Sequence, residues 1–481
     1  MGRMRRGVGL LVVGALGLAG CTADPTPREA PRPVPTKSPS VPPGPAGVGD
    51  PYFPTAGNSG YDVDRYTLKV RYDPATDKLA GTATVRATAT ADLPLFHLDL
   101  AGLTVRRVTV DGRPARHARE GAELVVTPAA SVRSGAAFTV EVGYDGRPVA
   151  LRNEAIGEGG WLHTADGAVA LGQPESASTW FPVNDHPSDK AAYDFEITVP
   201  KGLVAVANGV PEGQRPAPGG WTTWRWSEAA PMASYLSTVV IGRYRTSTAE
   251  HKGRPVFSAV ATTLPRGAAD ESIARTVEVA DYLESVFGPY PFGAYGGVVV
   301  DDPRIRYALE TQSRPVYSAG FFRSGENTGV VAHELAHQWF GDSVSLARWE
   351  DIWLNEGLAT YAEWLWAEHQ GRGTAQAAFE QRYATSSDRI WQVPPGRPGV
   401  ANLFGESVYQ RGGMTVHALR VAVGDEAFFR LLKTWAAEKR DGNATTAEFV
   451  ATAERVAGRQ LDDLFAAWLD GTERPPPPTR R

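Results

Sequence analysis

His333 and His337 stand four residues apart with Glu334 directly after the first of them, in the run His333-Glu334-Leu335-Ala336-His337. On a helix, positions four apart share a face, so both imidazoles can reach a single ion. Glu334 sits one step round, placed to touch a water beside that ion without ligating the ion itself. Zinc accepts imidazole nitrogens, and its catalytic sites usually take three protein ligands and keep one position open. The third ligand is expected from a neighbouring element. Glu356 follows His337 with eighteen residues between them, in Asn355-Glu356-Gly357-Leu358-Ala359 at the start of another helical run. Residues of these types at this spacing point to metal-assisted hydrolysis, with Glu334 as the general base.

The elements that must hold these groups can be read from the hydrophobic period. Residues 62–245 alternate polar and apolar in short runs rich in Thr and Val, at 66–72, 82–88 and 138–142, separated by Asp-Gly, Gly-Arg-Pro and Asp-Pro punctuation. That pattern predicts a saddle or sandwich of antiparallel strands. After residue 251 the period changes. Residues 270–287 carry a helical rhythm stopped by Gly288-Pro289, a strand is expected at 297–300, and helices dominate from Thr328 onward. The chain reads as a multidomain α+β protein. An N-terminal antiparallel β saddle or sandwich (55–250) precedes a mainly helical catalytic domain with a small sheet (251–472). Residues 473–481 are expected to be a loose tail.

With 481 residues and hydrophobic side chains at 42%, there is ample material for more than one core. A formal net charge of -5 gives no polycationic footprint and argues against a nucleic-acid partner. There is one cysteine, so a disulfide framework within the chain is excluded. That cysteine, Cys21, ends an N-terminal stretch with Arg3, Arg5 and Arg6 followed by an apolar run at 7–20. This is the pattern of a secretory signal (1–20), and the run is too short for a comfortable spanning helix. Leu18-Ala19-Gly20-Cys21 resembles the bacterial lipobox, which implies cleavage before Cys21 and lipid attachment to it. Residues 21–54, dominated by Pro, Ser, Thr and Ala, are expected to form an extended tether from the outer face of the membrane.

His333-Glu334-Leu335-Ala336-His337-Gln338-Trp339-Phe340-Gly341-Asp342, followed by Trp353-Leu354-Asn355-Glu356-Gly357, resembles the gluzincin metallopeptidases of the aminopeptidase N and leukotriene hydrolase family. The likeness runs from about residue 62 to residue 469 and implies that the helical catalytic domain is thermolysin-like. It implies one Zn2+ held by His333, His337 and Glu356, with Glu334 as general base. Tyr307-Ala308-Leu309-Glu310-Thr311-Gln312 is similar to the family's Gly-Ala-Met-Glu-Asn strand, with Glu310 kept and its neighbours changed. By that likeness Glu310 binds the free amine of a substrate; where the strand departs from the family's pattern, Arg306 and Tyr307 are expected to narrow or polarise the first side-chain pocket. Gly172-Gln173-Pro174-Glu175 is similar to the N-domain loop that reaches the site, which implies Glu175 as a second amine anchor and Gln173 as a substrate contact. Val408-Tyr409-Gln410-Arg411-Gly412-Gly413 resembles the family's Tyr-x-Lys-Gly segment, with Tyr409 as the oxyanion donor.

The resulting expectation is a zinc aminopeptidase that acts on peptides with a free N-terminus. Two other readings of the same residues are a zinc endopeptidase without an amine anchor and a non-catalytic peptide-binding lipoprotein. The chain ends soon after Trp468-Leu469, where many relatives continue into a helical C-terminal domain. A short form with a more open cleft, or one closed by an oligomer partner, is expected on that ground.

Overall fold

The structure, a computed structural model, describes residues 46–153 and 157–479. Seven strands carry most of the first domain: β1 (Tyr61–Asp73), β2 (Lys78–Ala89), β3 (Thr104–Val110), β4 (Ala137–Gly146), β5 (Lys190–Pro200), β6 (Val210–Ala217) and β7 (Trp221–Ala233). They lie in the order β6-β7-β5-β1-β2-β4-β3, with the short strand Arg113–Pro114 at one edge. The alternation read at 66–72 is the burial pattern of β1. Tyr66, Leu68, Val70 and Tyr72 are buried, while Lys69 and Arg71 face solvent. Neighbours in this sheet pair antiparallel, except that β1 and β5 run parallel, with Arg65 opposite Ala192 and Arg71 opposite Thr198. The purely antiparallel expectation is corrected at that pair. Its strands are far apart in sequence and joined by a long crossover, which local alternation does not reveal.

A second, five-stranded sheet has the order Val204–Ala207, Val239–Gly242, Ala168–Leu171, Gly157–His163, Ala150–Asn153. Strand Ala168–Leu171 matters most for the site, because the chain leaves it directly into Gly172 and Gln173.

Strands β8 (Tyr244–His251) and β9 (Arg254–Ala261) form one hairpin, and β9 pairs parallel with β10 (Tyr295–Val300). With β11 (Ala308–Leu309) and β12 (Val316–Ser318), the sheet order is β8-β9-β10-β12-β11, so β11 is an edge strand. Four helices bear on the site: α1 (Thr276–Phe287), α2 (Thr328–Ala336), α3 (Trp353–His369) and α4 (Gly412–Val423). The rhythm at 270–287 belongs to two helices, Ala268–Ala274 and α1. They meet at Arg275, whose guanidinium is drawn off to Glu278 and Glu326. Helix α3 is apolar almost all round and buried along most of its length, as befits the centre of a helical domain.

Both expected loose ends are shorter than the composition suggests. Residues 46–54, read as tether, dock on the body: Gly47 donates its N–H to Gly57 O at 2.8 Å, and Asp50 is 3% exposed. The Asp50 carboxylate accepts from the N–H groups of Tyr52, Phe53 and Trp349 and from His186 Nε2. One acid thus ties the N-terminal segment to both domains, and a search for apolar anchors passes over it. At the other end, Tyr383 donates its hydroxyl to Pro475 O at 2.7 Å, and the Arg474 guanidinium lies 3.9 Å from the Tyr383 ring centroid. Cys21 and the signal lie outside the described residues. Among the described residues, no helix is long and apolar enough to cross a membrane.

Candidate active site

Helix α2 delivers three of the site's groups. Asn327 caps it, its side chain accepting from the N–H groups of Gly329 and Val330. Such a cap is worth about 1 kcal/mol, and here it fixes the helix whose last turn carries His333, Glu334 and His337. Glu356 comes from the first turn of α3. His333 Nε2 lies 3.3 Å from Glu356 Oε2, and His337 Nε2 lies 3.5 Å from the same oxygen. Tetrahedral ligands on bonds of about 2.0–2.1 Å stand about 3.3 Å apart, so these atoms are spaced as they would be around one small cation.

The other face of each imidazole supports the same arrangement. His337 Nδ1 is 3.0 Å from Phe340 O, which can only accept, so Nδ1 carries a proton and Nε2, turned toward Glu356, is the nitrogen left to bind a cation once its own proton is released. His333 Nδ1 meets Glu363 Oε1 at 2.7 Å, a carboxylate behind a ligating imidazole. Burial opposes a charge on His337, but Glu356 and Glu310 outweigh it and push its pKa up to about 9. Glu356 moves the other way, to about 2, because the two histidines overcome the cost of its burial. A pocket with such an excess of carboxylate is one that favours a cation. Two imidazole nitrogens and one carboxylate oxygen, buried and preset, fit a borderline divalent ion with an open position.

The cavity around these groups holds about 360 Å³. Glu334 and Tyr409 line it with the ligands, and so do Glu310, Gln173 and Tyr307. Burial pushes Glu334 up to about 8, with Glu310 and Glu356 adding to the effect and the two histidines opposing it. A carboxylate held there takes up a proton readily near neutral pH. Tyr409 sits in a π-helical turn, Ser407–Arg411, with its ring stacked on His333 at 6.1 Å between centroids. Burial and the nearby carboxylates of Glu356, Glu310 and Glu334 hold its phenol well above its ordinary value, so it remains a donor.

Glu310 follows edge strand β11 and is 2% exposed. Gln173 Nε2 donates to Glu310 Oε1 at 2.6 Å, so the N-domain loop and the catalytic sheet meet at this carboxylate. Gln338, next to His337, donates to Glu310 O and accepts from Ser313 N, pinning the segment from behind. Burial raises the Glu310 pKa, and Glu356 adds to that against the pull of His337. An arriving ammonium would restore its charge.

The structure therefore brings together His333, Glu334, His337, Glu356, Glu310, Gln173 and Tyr409. It does not bring Glu175 with them. Glu175 lies outside the cavity lining, and burial together with the charges of Asp185 and Glu123 raises its pKa to about 7. After Gln173 the chain passes through Pro174 and Glu175 into the buried turn Ala177–Thr179. Sequence reasoning missed Glu363 and Gln338. Both had a signal. Glu363 is seven residues past Glu356, two helical turns along the same face, and Gln338 directly follows a ligand.

Comparison with known proteins agrees with this geometry. The Peptidase family M1 domain matches residues 271–468, and the Peptidase M1 N-terminal domain matches residues 62–236. A crystal structure of an M1 zinc metallopeptidase from Deinococcus radiodurans superposes with a TM-score of 0.81 at 32% identity, over 90% of this chain and 98% of that one. The chain belongs to the M1 peptidase family. A variant of the Deinococcus protein with the substrate Tyr-Ser-Ala bound superposes equally well, over the whole of that chain. Aminopeptidase N of Streptomyces lividans is 26% identical over 60% of this chain and 36% of its own length. The leucyl aminopeptidase of Saccharolobus solfataricus is 25% identical over 85% of this chain and 53% of its own. The chain thus spans between about a third and a half of these aminopeptidases.

Proposed function

We propose that this M1 peptidase is a zinc aminopeptidase that releases the first residue of peptides bearing a free N-terminus. The observation that carries the reading is the buried Glu310 carboxylate, paired with Gln173 and lining the same cavity as the His333–His337–Glu356 trio. A Zn2+ on that trio would supply Lewis acidity, polarising the scissile carbonyl and acidifying a water. Glu334 accepts the proton of the attacking water and delivers it to the departing amine. Tyr409 donates a hydrogen bond to the oxygen on which negative charge develops. Glu310 and Gln173 hold the substrate ammonium and the edge strand β11 aligns its backbone, which fixes the bond that is cut. An endopeptidase has no use for a buried carboxylate at the closed end of its cleft, and a binding protein has none for Glu334 and Tyr409 facing the same point.

Export as a lipoprotein is part of the same proposal, supported by the basic start, the apolar run and the lone Cys21. A lipid on Cys21 would hold the enzyme at the outer face of the cell membrane. Mass spectrometry of the N-terminal peptide from a native host tests this; an unmodified Cys21 would refute it.

Hydrolysis of fluorogenic aminoacyl amides, each beside its N-acetylated twin, tests the main reading. Release from the free-amine set alone, abolished by Glu334→Gln and by a chelator, is expected. Equal release from the acetylated set would overturn the proposal.

A further inference from the structure

Next to the active-site cavity lies a second one of about 450 Å³, and the two share Arg306 and Phe321 in their walls. Arg323 stands on the wall of the second cavity. Arg306 and Arg323 are both exposed. Two acids also line this space, but each is engaged elsewhere: Asp302 is paired with Arg304 at 2.7 Å, and Asp301 accepts from Thr263 Oγ1 at 2.7 Å. The arginines are not so occupied. Arg306 makes one long hydrogen bond, from Nε to Pro303 O at 3.4 Å, and among the described residues neither arginine has a carboxylate partner.

The spacing along the chain gives these charges a meaning. Glu310 and Arg306 flank edge strand β11 (Ala308–Leu309), four residues apart with a bend at Tyr307 between them, so their Cα atoms are at most roughly 13 Å apart. An extended peptide whose ammonium sits at Glu310 can pair with the free edge of β11 and must run back toward Arg306. It advances about 3.4 Å per residue, so the carboxylate of a peptide of three or four residues arrives where the guanidiniums are. A guanidinium offers a fork of donors matched to a carboxylate.

Building on the aminopeptidase reading, we infer that Arg306 and Arg323 bind the C-terminal carboxylate of short substrates. The enzyme then recognises both ends of a peptide at once, and its preferred substrates are tri- and tetrapeptides with free carboxylates. The arginines act as specificity residues and touch no reacting atom.

The test uses alanine peptides of two to six residues, each as free acid and as C-terminal amide, with an aminoacyl anilide alongside. Wild-type enzyme should favour the acid over the amide by roughly tenfold at three and four residues, with little preference at six. In the double variant Arg306→Gln/Arg323→Gln the ratio should fall toward one through a higher KM for the acid. Arg306→Lys should keep part of the preference. Arg323→Gln, whose residue lies outside the active-site cavity, should by itself lower the ratio in part, and there the amide twins and the anilide report that the folded site is intact. An acid-to-amide ratio near one in wild type, or a ratio unmoved in the double variant, would overturn the inference. Failure of wild-type enzyme to release the anilide would defeat instead the aminopeptidase reading beneath it.

Discussion

Gly357 and Gly412 touch backbone to backbone: a Cβ on Gly357 would lie 2.9 Å from the Gly412 carbonyl carbon. Gly357 directly follows the ligand Glu356, and Gly412 lies three residues beyond Tyr409. The contact therefore sets the distance between the metal site and the oxyanion donor. Gly357→Ala must push α3 and α4 apart, at a cost of about 1–3 kcal/mol. Lower thermal stability and a kcat reduced at least tenfold are expected, with zinc still bound. An unchanged kcat would show that this packing does not position Tyr409.

Tyr409→Phe removes one donor and leaves the ring stacked on His333. The expected loss is roughly 10²–10³ in kcat, with KM nearly unchanged. Steady-state kinetics decide it, and a loss confined to KM would assign Tyr409 to substrate binding.

Glu363 acts on zinc through His333, with which it shares a 2.7 Å hydrogen bond. Glu363→Ala should weaken zinc binding by roughly 10–100-fold. Competition against a chelator of known affinity measures this directly. Equal affinities would reduce Glu363 to a wall of the cavity.

Asp50 makes the fold sensitive to acid. Burial works to raise its pKa, but the hydrogen bonds from His186, Trp349, Phe53 and Tyr52 prevail and lower it from 3.8 to about 2. A carboxylate depressed in the folded state contributes stability that is full above about pH 4 and lost as pH falls toward 2. Asp50→Ala should therefore destabilise the protein by about 1–2 kcal/mol at pH 7. In urea unfolding followed from pH 7 to pH 2.5, that difference should shrink below pH 4. A difference independent of pH would mean that the charge on Asp50 is not what holds the segment.

How much of this was legible beforehand depends on the range of the signal. The zinc trio and Glu334 were plain, because i,i+4 spacing and a helix start are local patterns. The strands of the β domain were plain where alternation was regular, as at 66–72. The parallel pairing of β1 with β5 was not, since register between distant strands leaves no trace in either one. For the loop at 172–175, a four-residue likeness was enough to place Gln173 on the cavity wall, while Glu175 lies outside that lining. The docking of residues 46–54 was hidden for a related reason: one buried acid and a few backbone hydrogen bonds hold much of it, and composition averages them away.

The claim at the centre of the account is that Glu310 decides which bond is cut. Its most direct test is mass spectrometry of products, over time, from an unblocked decapeptide incubated with wild type and with Glu310→Ala. The account predicts a ladder of single-residue losses from the N-terminus for wild type. For the variant it predicts a rate roughly 100-fold lower on that ladder, with zinc content unchanged. Interior fragments from wild-type enzyme, or an undiminished ladder from Glu310→Ala, would contradict it.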